Sequence, residues 1–157
     1  MQKLESDGVG IRVRQLHHEE AGQAAAIDAE CFAVPWCAAV YCAELQLSSL
    51  WLGAYDNQGL IGVAGYRIEP PNAHIVRLGV LKEKRRQGVG ALLTEKLVVE
   101  ARAHDLIPML EVRETNLPAL ALYRAAGFRI VGSVPNYYTK PRENAAILEL
   151  RDWGGGA

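Results

Sequence analysis

A mixed α/β fold, with helices covering the faces of a sheet, is predicted from three features of this 157-residue sequence. Half of the residues are apolar and 22% are charged, which is typical of a globular chain large enough to enclose a core and a cleft. Predicted strands alternate with helices in the middle of the chain and follow one another in hairpins outside it. We therefore expect a single domain over residues 1–152, followed by a disordered tail over 153–157.

The first half of the chain begins with a predicted strand over residues 9–16, where apolar side chains alternate with arginines. The alanine-rich residues 17–32 predict a helix that has acidic side chains in its first turn. Pro35 interrupts this helix, and residues 37–45 predict a second, shorter one. Three strands are then expected, over residues 49–55, 60–68 and 73–81.

The second half opens with an amphipathic helix that begins near Val89. Its apolar stripe consists of Val89, Leu93, Leu97 and Ala101, widened by Leu92 and Val99. Pro118 and Gly127 mark the start and the end of a further helix. The remaining predicted elements are a strand, that helix and two strands, over residues 107–113, 116–127, 128–134 and 145–150. The predicted order is therefore β-α-α-β-β-β-α-β-α-β-β.

Charge and cysteine usage narrow the class of partner. The net charge is −1 and basic residues cluster only at 82–86, so neither nucleic acid nor a membrane is an expected partner. The order of charged and apolar residues at the N-terminus is not that of a signal peptide, and no apolar run approaches the ~20 residues that span a bilayer. The three cysteines fit no zinc-binding pattern, so no metal is expected. Their odd number favours a reducing compartment, and a cytoplasmic location is the expectation.

The stretch "RRQGVG", residues 85–90, lies between a predicted strand and a predicted helix. The first N–H groups of a helix have no partners within it, and Gly88 and Gly90 place no side chain over them. Arg85 and Arg86 add positive charge, so the loop suits a phosphate or a diphosphate. The spacing fits neither a dinucleotide fingerprint nor a Walker loop. A glycine turn beside a solvated run of charges is the alternative interpretation.

The arrangement [R/Q]-x-x-G-x-[G/A], filled by Arg85, Gly88 and Gly90, resembles the phosphate loop of the GNAT superfamily of N-acetyltransferases. "LEVRETNLPALALYRAAGF", residues 110–128, resembles the RimI type, the bacterial ribosomal-protein alanine N-acetyltransferases. "FAVPW" and "NYY" resemble two further segments of that type. The resemblance implies the GNAT fold, in which a mixed, mostly antiparallel sheet of six to seven strands is flanked by about four helices.

The resemblance also implies that acetyl-CoA is the cosubstrate. In this family the loop binds the diphosphate, and the strand before it offers backbone groups to the pantetheine arm. The implied cofactor-binding residues are Leu78, Gly79, Val80, Arg85, Arg86, Gln87, Gly88, Val89, Gly90, Ala91 and Asn116. Asn116 is also the predicted N-cap of its helix.

Two further residues receive catalytic roles from the resemblance. Glu111 would accept a proton from the acceptor amine, directly or through one water, and Tyr123 would protonate the departing sulfur. The residues alone leave other interpretations open, namely a solvated face or an ion pair with Arg113 for Glu111, and an ordinary core position for Tyr123. Because the amine attacks acetyl-CoA directly, no covalent enzyme intermediate is expected. The four histidines form no recognisable triad with a serine or a cysteine.

The acceptor is expected to enter a narrow slot between two walls. One wall consists of Phe32, Pro35 and Trp36, and the other of Tyr137 and Tyr138. Such a slot admits the end of a chain more easily than a lysine on a folded surface. The sequence departs from the family pattern at Val134, Pro135 and Asn144, all on the acceptor side.

The function predicted from these observations is acetylation of the N-terminal amine of a protein, with a ribosomal protein that begins with alanine as the expected acceptor. Acetylation of lysine or of a small amine, and a non-catalytic acyl-CoA-binding module, are the alternatives.

Overall fold

The computed structural model of the protein describes residues 3–5 and 10–151. Val9 of the first predicted strand and the predicted tail 153–157 lie outside the described residues. The strands are β1 (Lys3–Glu5), β2 (Arg12–Gln15), β3 (Ser49–Asp56), β4 (Gly59–Glu69), β5 (Asn72–Val80), β6 (Ile107–Arg113), β7 (Arg129–Thr139) and β8 (Arg142–Glu149). The helices are α1 (Ala21–Cys31), α2 (Ala38–Leu45), α3 (Val89–Ala103) and α4 (Leu117–Ala125), with short 3₁₀ turns at His18–Glu20 and Lys82–Lys84.

All these strands form one sheet in the order β1-β2-β3-β4-β5-β6-β8-β7. Neighbouring strands are antiparallel except β5 and β6, which are parallel. The predicted fold class, a mixed and mostly antiparallel sheet with four flanking helices, is confirmed. The short strand β1, which pairs with β2, is an addition that the sequence patterns did not predict.

Strand β7 is longer than predicted, because it continues through residues 135–139 instead of ending at Val134. Pro135 does not interrupt its strand in the way that Pro35 was predicted to interrupt a helix. Strand β7 pairs only with β8, and an edge strand tolerates a proline. The ladder is irregular between Val134 and Tyr138, which accommodates the proline. Tyr137 and Tyr138 therefore lie on a strand and not in a loop.

Helix α3 packs its predicted apolar stripe against the sheet. Val89, Leu93, Leu97 and Ala101 are at most 1% exposed. Val99 was predicted to widen the stripe but is 54% exposed. It lies two residues beyond Leu97, about 200° around the helix, and therefore faces solvent.

A second core cluster lies between the sheet and the pair α1 and α2. Its large members are Ile27, Tyr41 and Trp51, and Trp36 packs against them. The ring of Trp36 meets that of Tyr41 at 5.5 Å, edge to face, and that of Trp51 at 5.8 Å. This cluster anchors the end of the segment that connects the two helices.

Candidate active site

A gap opens in the sheet between β5 and β6. The two strands pair only at residues 72–74 with residues 107–109. Beyond these residues β5 continues to pair with β4, and β6 pairs with β8. Leu78, Gly79 and Val80, the predicted pantetheine-binding residues, lie on β5 beyond the point where the pairing ends. Because ladder partners are missing along this gap, backbone groups there are free to bind an extended ligand.

The predicted phosphate loop has the geometry of an anion cradle. Gly88 is the N-cap of α3, with a φ of 81°, and Arg86 is also left-handed, with a φ of 64°. Within the described chain, none of the backbone N–H groups of residues 86–91 donates a hydrogen bond. These amides lie at the positive end of the α3 dipole. The residues therefore fit a diphosphate group.

Arg85 has a position that differs from its expected place at the mouth of the loop. Its Nε donates to the carbonyl oxygen of Val80 at 3.1 Å, and its Nη2 lies 3.4 Å from Cys31 Sγ. The guanidinium thus fastens the loop to the end of β5 and to α1. Arg86 and Gln87 remain exposed beside the free amides.

Glu111 points to the face of β6 opposite Leu110 and Val112, which are buried. Its Oε2 lies 2.6 Å from Nε2 of His74, and both side chains are 17% exposed. The alternative interpretation, an ion pair with Arg113, is wrong, because Arg113 pairs with Glu143 at 3.3 Å. Glu111 is therefore half of a carboxylate–imidazole pair at the gap.

His74 connects this pair to a second carboxylate. Its Nδ1 lies 3.2 Å from Oε1 of Glu69, whose side chain is 50% exposed. The hydrogen bond to Glu111 raises the pKa of His74 above its ordinary value, and the nearby charges of Glu111 and Glu69 add to this effect while burial opposes it. The three side chains form a continuous line of polar contacts from the gap to the surface.

His74 was not among the site residues predicted from the sequence, because it belongs to no recognisable triad pattern. A usable signal existed, since residues 73–81 and 107–113 were predicted as consecutive strands around one helix. The register places His74 opposite Met109, two residues before Glu111 on the adjacent strand. Only the pairing of the two strands fixes that register.

Tyr123 lies on α4 and is 8% exposed. Its ring packs edge to face against Phe128 at 5.6 Å. Burial, together with the proximity of Tyr138, raises its pKa to about 12. Its hydroxyl makes no hydrogen bond within the described residues. The ring thus has the predicted core position, while the hydroxyl has no protein partner among those residues.

Tyr137 and Tyr138 lie near Glu111, whose charge adds to the effect of burial in raising the pKa of both phenols. Their rings are 5.0 Å apart, and Tyr137 is 48% exposed. Burial, followed by the proximity of Tyr137 and Glu111, raises the pKa of Tyr138 to about 12. The guanidinium of Arg113 lies 4.2 Å from the centre of the Tyr138 ring. The two tyrosines and the predicted base thus belong to one site, and Tyr138 also adjoins Tyr123.

The β7–β8 hairpin is fastened to β6 by polar contacts. Arg113 donates to the carbonyl oxygens of residues 140 and 141 at 3.0 and 2.8 Å. The carboxylate of Glu143 accepts from the backbone N–H of Thr115 at 2.8 Å and from its hydroxyl at 2.6 Å. These bonds lower the pKa of Glu143. They fix the tyrosines relative to Glu111.

Asn144, one of the departures from the family pattern, has a local structural role. Its Oδ1 accepts the backbone N–H of Asn136 at 3.0 Å, and Asn136 has a φ of 54°. The bond supports the irregular part of β7 just before the tyrosines. The other departures, Val134 and Pro135, lie within that same part.

The other predicted wall follows α1. A side-chain carbon placed on Gly79 would lie 3.5 Å from the Phe32 ring, so Phe32 packs directly on the predicted pantetheine strand. Pro35 is exposed, and Trp36 is half-buried in the second core cluster. Phe32 therefore covers β5 at Gly79, beside the gap, whereas Trp36 contributes mainly as the anchor of the wall.

Asn116 caps α4 as predicted, because its Oδ1 accepts the backbone N–H of Ala119 at 3.2 Å. Its expected contact with the cofactor stays a prediction.

A separate groove of about 620 Å³ lies between α4 and β7–β8, lined by Leu117, Arg124 and Ile130 among others. None of the predicted site residues lines it.

The sequence matches the model of the acetyltransferase (GNAT) family over residues 12–128. The N-alpha-acetyltransferase RimI of Mycobacterium tuberculosis is 31% identical over 158 residues, which cover 96% of this chain and 98% of that protein. The ribosomal protein bS18-alanine N-acetyltransferase of Escherichia coli is 29% identical over 127 residues, which cover 79% of this chain and 86% of that protein.

A solved structure supports the same relationship. The crystal structure of the ribosomal-protein alanine N-acetyltransferase from Escherichia coli superposes with a TM-score of 0.82 at 27% identity, and the match covers 89% of this chain and 92% of that one. Among the residues that the structure describes, no helix is long and apolar enough to cross a membrane.

Proposed function

Because this chain belongs to the acetyltransferase (GNAT) family, we propose that the amine it acetylates is the N-terminal α-amine of a protein, and that its natural acceptor is a ribosomal protein beginning with alanine. The chain is an acetyl-CoA-dependent N-acetyltransferase. The pair of Glu111 and His74 beside the paired tyrosines is the observation that carries the proposal. Relatives named as ribosomal-protein alanine N-acetyltransferases support the choice of acceptor.

Acetyl-CoA supplies the activated acetyl group as a thioester. The free amides of residues 86–91 would bind its diphosphate, since they are unpartnered and lie at a helix N-terminus. Residues 78–80 would hold the pantetheine arm along the gap between β5 and β6. Arg85 would act by fixing the loop to β5, and Arg86 by its charge at the exposed side.

Glu111 and His74 together serve as the base. At neutral pH most α-amines carry an extra proton, which Glu111 accepts and His74 and Glu69 pass to solvent. The neutral nitrogen then attacks the thioester carbon. It gives a further proton to Glu111 as the C–N bond forms and the C–S bond breaks. A protonated His74, hydrogen-bonded to both Glu111 and Glu69, would oppose these transfers. In the active form the Glu111–His74 pair therefore carries one proton fewer.

Tyr123 supplies the proton that the departing sulfur needs. Its pKa of about 12 keeps the phenol protonated at neutral pH, so the hydroxyl is available as a donor. A thiol has an ordinary pKa of about 8.5, which makes the sulfur a fair leaving group. The requirement for an acid is therefore moderate.

The choice of an α-amine follows from the size of the proton-transfer cost. At pH 7 deprotonation costs roughly 1–1.4 kcal/mol for an α-amine of pKa about 7.7–8.0, and roughly 4.6 kcal/mol for lysine at about 10.4. A partly exposed carboxylate–imidazole pair suits the first task. The site walls, Phe32 on one side and Tyr137 and Tyr138 on the other, also suit an extended chain end.

A peptide panel tests the proposal. CoA release from acetyl-CoA is measured with peptides that vary in their first two residues, including one that begins with alanine. The matched control has the same sequence with a blocked N-terminus and an internal lysine. We expect release only with the free α-amine. Faster release with the blocked, lysine-containing peptide or with a small amine would refute the proposed acceptor, and no release with any amine would indicate a non-catalytic acyl-CoA-binding module.

A further inference from the structure

Arg77 lies on β5 between His74 and the predicted pantetheine-binding residues, and its side chain is 15% exposed. All its polar and ring contacts reach the segment 28–36, which contains the predicted acceptor wall. We propose that Arg77 is a positioning residue that clamps this wall to β5 and thereby sets the affinity for the acceptor. The link to acceptor affinity rests on the proposed function.

The guanidinium of Arg77 contacts two aromatic rings of the wall. Its central carbon lies 4.0 Å from the centre of the Phe32 ring and 4.3 Å from that of Trp36. One nitrogen, Nη2, donates to the carbonyl oxygen of Val34 at 3.1 Å. A planar group with several N–H donors can stack on rings and donate at its edge at the same time, which an ammonium group cannot do.

Asp28 completes the clamp from the side of α1. Its carboxylate is fully buried and accepts the backbone N–H of Trp36 and the hydroxyl of Tyr41, each at 2.6 Å. Arg77 Nε lies 3.2 Å from Asp28 Oδ1, and its Nη2 lies 3.3 Å from Oδ2. A buried carboxylate requires a paired cation, and Arg77 supplies one. The wall and the strand are therefore joined by charge as well as by ring contacts.

The wall has few other polar attachments. Over the described residues, the backbone groups of residues 33–36 form hydrogen bonds only with the side chains of Asp28 and Arg77. The segment contains no helix or strand, and residues 33–35 are exposed. Trp36 holds one end of it through the aromatic cluster. Arg77 thus controls the part nearest the gap.

The position of this part bears directly on the acceptor slot. Phe32 packs on Gly79 of β5, and a carbon added to Gly79 would lie within 3.1 Å of Cys31 and 3.5 Å of Phe32. Releasing Arg77 would let Phe32 move away from β5. The cofactor loop should keep its position, because Arg85 is held by the carbonyl oxygen of Val80 on β5 and by Cys31 within helix α1, and neither it nor the amides of residues 86–91 contact Arg77. The expected effect is selective for the acceptor.

Arg77→Lys tests the clamp, because lysine keeps the charge beside Asp28 but loses the planar stack and the bond to Val34. We expect KM for an alanine-starting peptide to rise about tenfold, which corresponds to about 1.4 kcal/mol. KM for acetyl-CoA, and kcat at saturating peptide, should stay within a factor of about two. Arg102→Lys, on the exposed face of α3, is the matched control and should change none of these values.

Amide hydrogen exchange of the free protein provides a readout that needs no acceptor. We expect Arg77→Lys to speed exchange at the backbone amides of Phe32 and Trp36, both of which donate hydrogen bonds to Asp28, and to leave α3 unchanged. If the wild-type protein acetylates no α-amine, the proposed function fails, while this measurement still decides whether Arg77 clamps the wall.

Several results would overturn the clamp. These are unchanged exchange at the Phe32 and Trp36 amides, an unchanged peptide KM in an enzyme that does acetylate the peptide, and an equal rise in both KM values. A fall in kcat with both KM values unchanged would overturn the clamp as well, because the peptide KM would not have risen. The double variant Arg77→Gln, Asp28→Asn removes both charges, so it leaves no unpaired buried charge, and it should reproduce the rise in peptide KM.

Discussion

Replacement of Glu111 by glutamine is the sharpest test of the proposed chemistry. Glutamine keeps the size of the side chain and can still contact His74, but it cannot accept a proton. A positioned base contributes typically 10²–10⁴-fold, so we expect kcat at pH 7 to fall by at least about 10². The affinity for acetyl-CoA should stay nearly unchanged, because Glu111 is bonded to His74 and not to the phosphate loop.

The loss should also depend on pH in a defined way. Taking the proton from the α-amine at pH 7 costs roughly 1–1.4 kcal/mol, which is a factor of about 5–10. Above pH 8 the acceptor arrives neutral, and this part of the deficit disappears. The ratio of wild-type to Glu111→Gln rates should therefore shrink by roughly 5–10-fold between pH 7 and pH 9.

The assay follows CoA release over this pH range, with acetyl-CoA affinity measured by calorimetry. Glu114→Gln is the matched control, since among the described residues its carboxylate accepts only from the hydroxyl of Ser133, at 3.2 Å. The reasoning is refuted by a Glu111→Gln deficit below tenfold at pH 7. It is equally refuted by a loss of acetyl-CoA affinity as large as the loss of rate, which would make Glu111 a structural residue.

Three further predictions concern the rest of the site. Tyr123→Phe should lower kcat by about 10²-fold. The free energy of unfolding should change by less than about 1 kcal/mol, since the hydroxyl has no partner in the described chain. An unchanged kcat would exclude Tyr123 as the acid. Gly88→Ala should lower the free energy of unfolding in chemical denaturation by about 1 kcal/mol and raise KM for acetyl-CoA, because a φ of 81° disfavours a side chain even where space is free. An unchanged KM would place the diphosphate elsewhere. His74 has a raised pKa, so kcat/KM should rise with pH as it deprotonates, and its contribution to stability should be complete below pH ~6.5 and lost as pH rises through the raised pKa. His74→Gln should remove the pH dependence of stability and leave only the rise in kcat/KM that follows the acceptor amine, and persistence of the stability effect would contradict the paired base.

Most of the fold was predictable because local patterns agreed with it. The stripe of Val89, Leu93, Leu97 and Ala101 predicted α3, and its residues are buried. Residues 107–113 were predicted as the strand that is observed as β6. The exceptions have physical causes, since Val99 lies about 200° from Leu97 around the helix and β7 continues through Pro135 because it is an edge strand.

The sequence predicted the candidate site only where the relevant residues lie within one short segment. The glycines at 88 and 90 indicate free helix amides whatever surrounds them, because a helix start always leaves these groups unpaired. The turn of Arg85 back to Val80 could not be inferred, since it depends on where β5 ends relative to the loop. Resemblance to the family indicated Glu111 and Tyr123 but not their partners.

The sequence by itself determined the order of the elements, the glycine loop and the family, because each depends on residues that are close along the chain. The tertiary structure alone decided that His74 meets Glu111, 37 positions away, and that Arg77 meets Asp28, 49 positions away. Both contacts depend on strand register and on how α1 packs against β5. A shift of one residue in register would turn these side chains to the opposite face, and no local pattern specifies register across the gap.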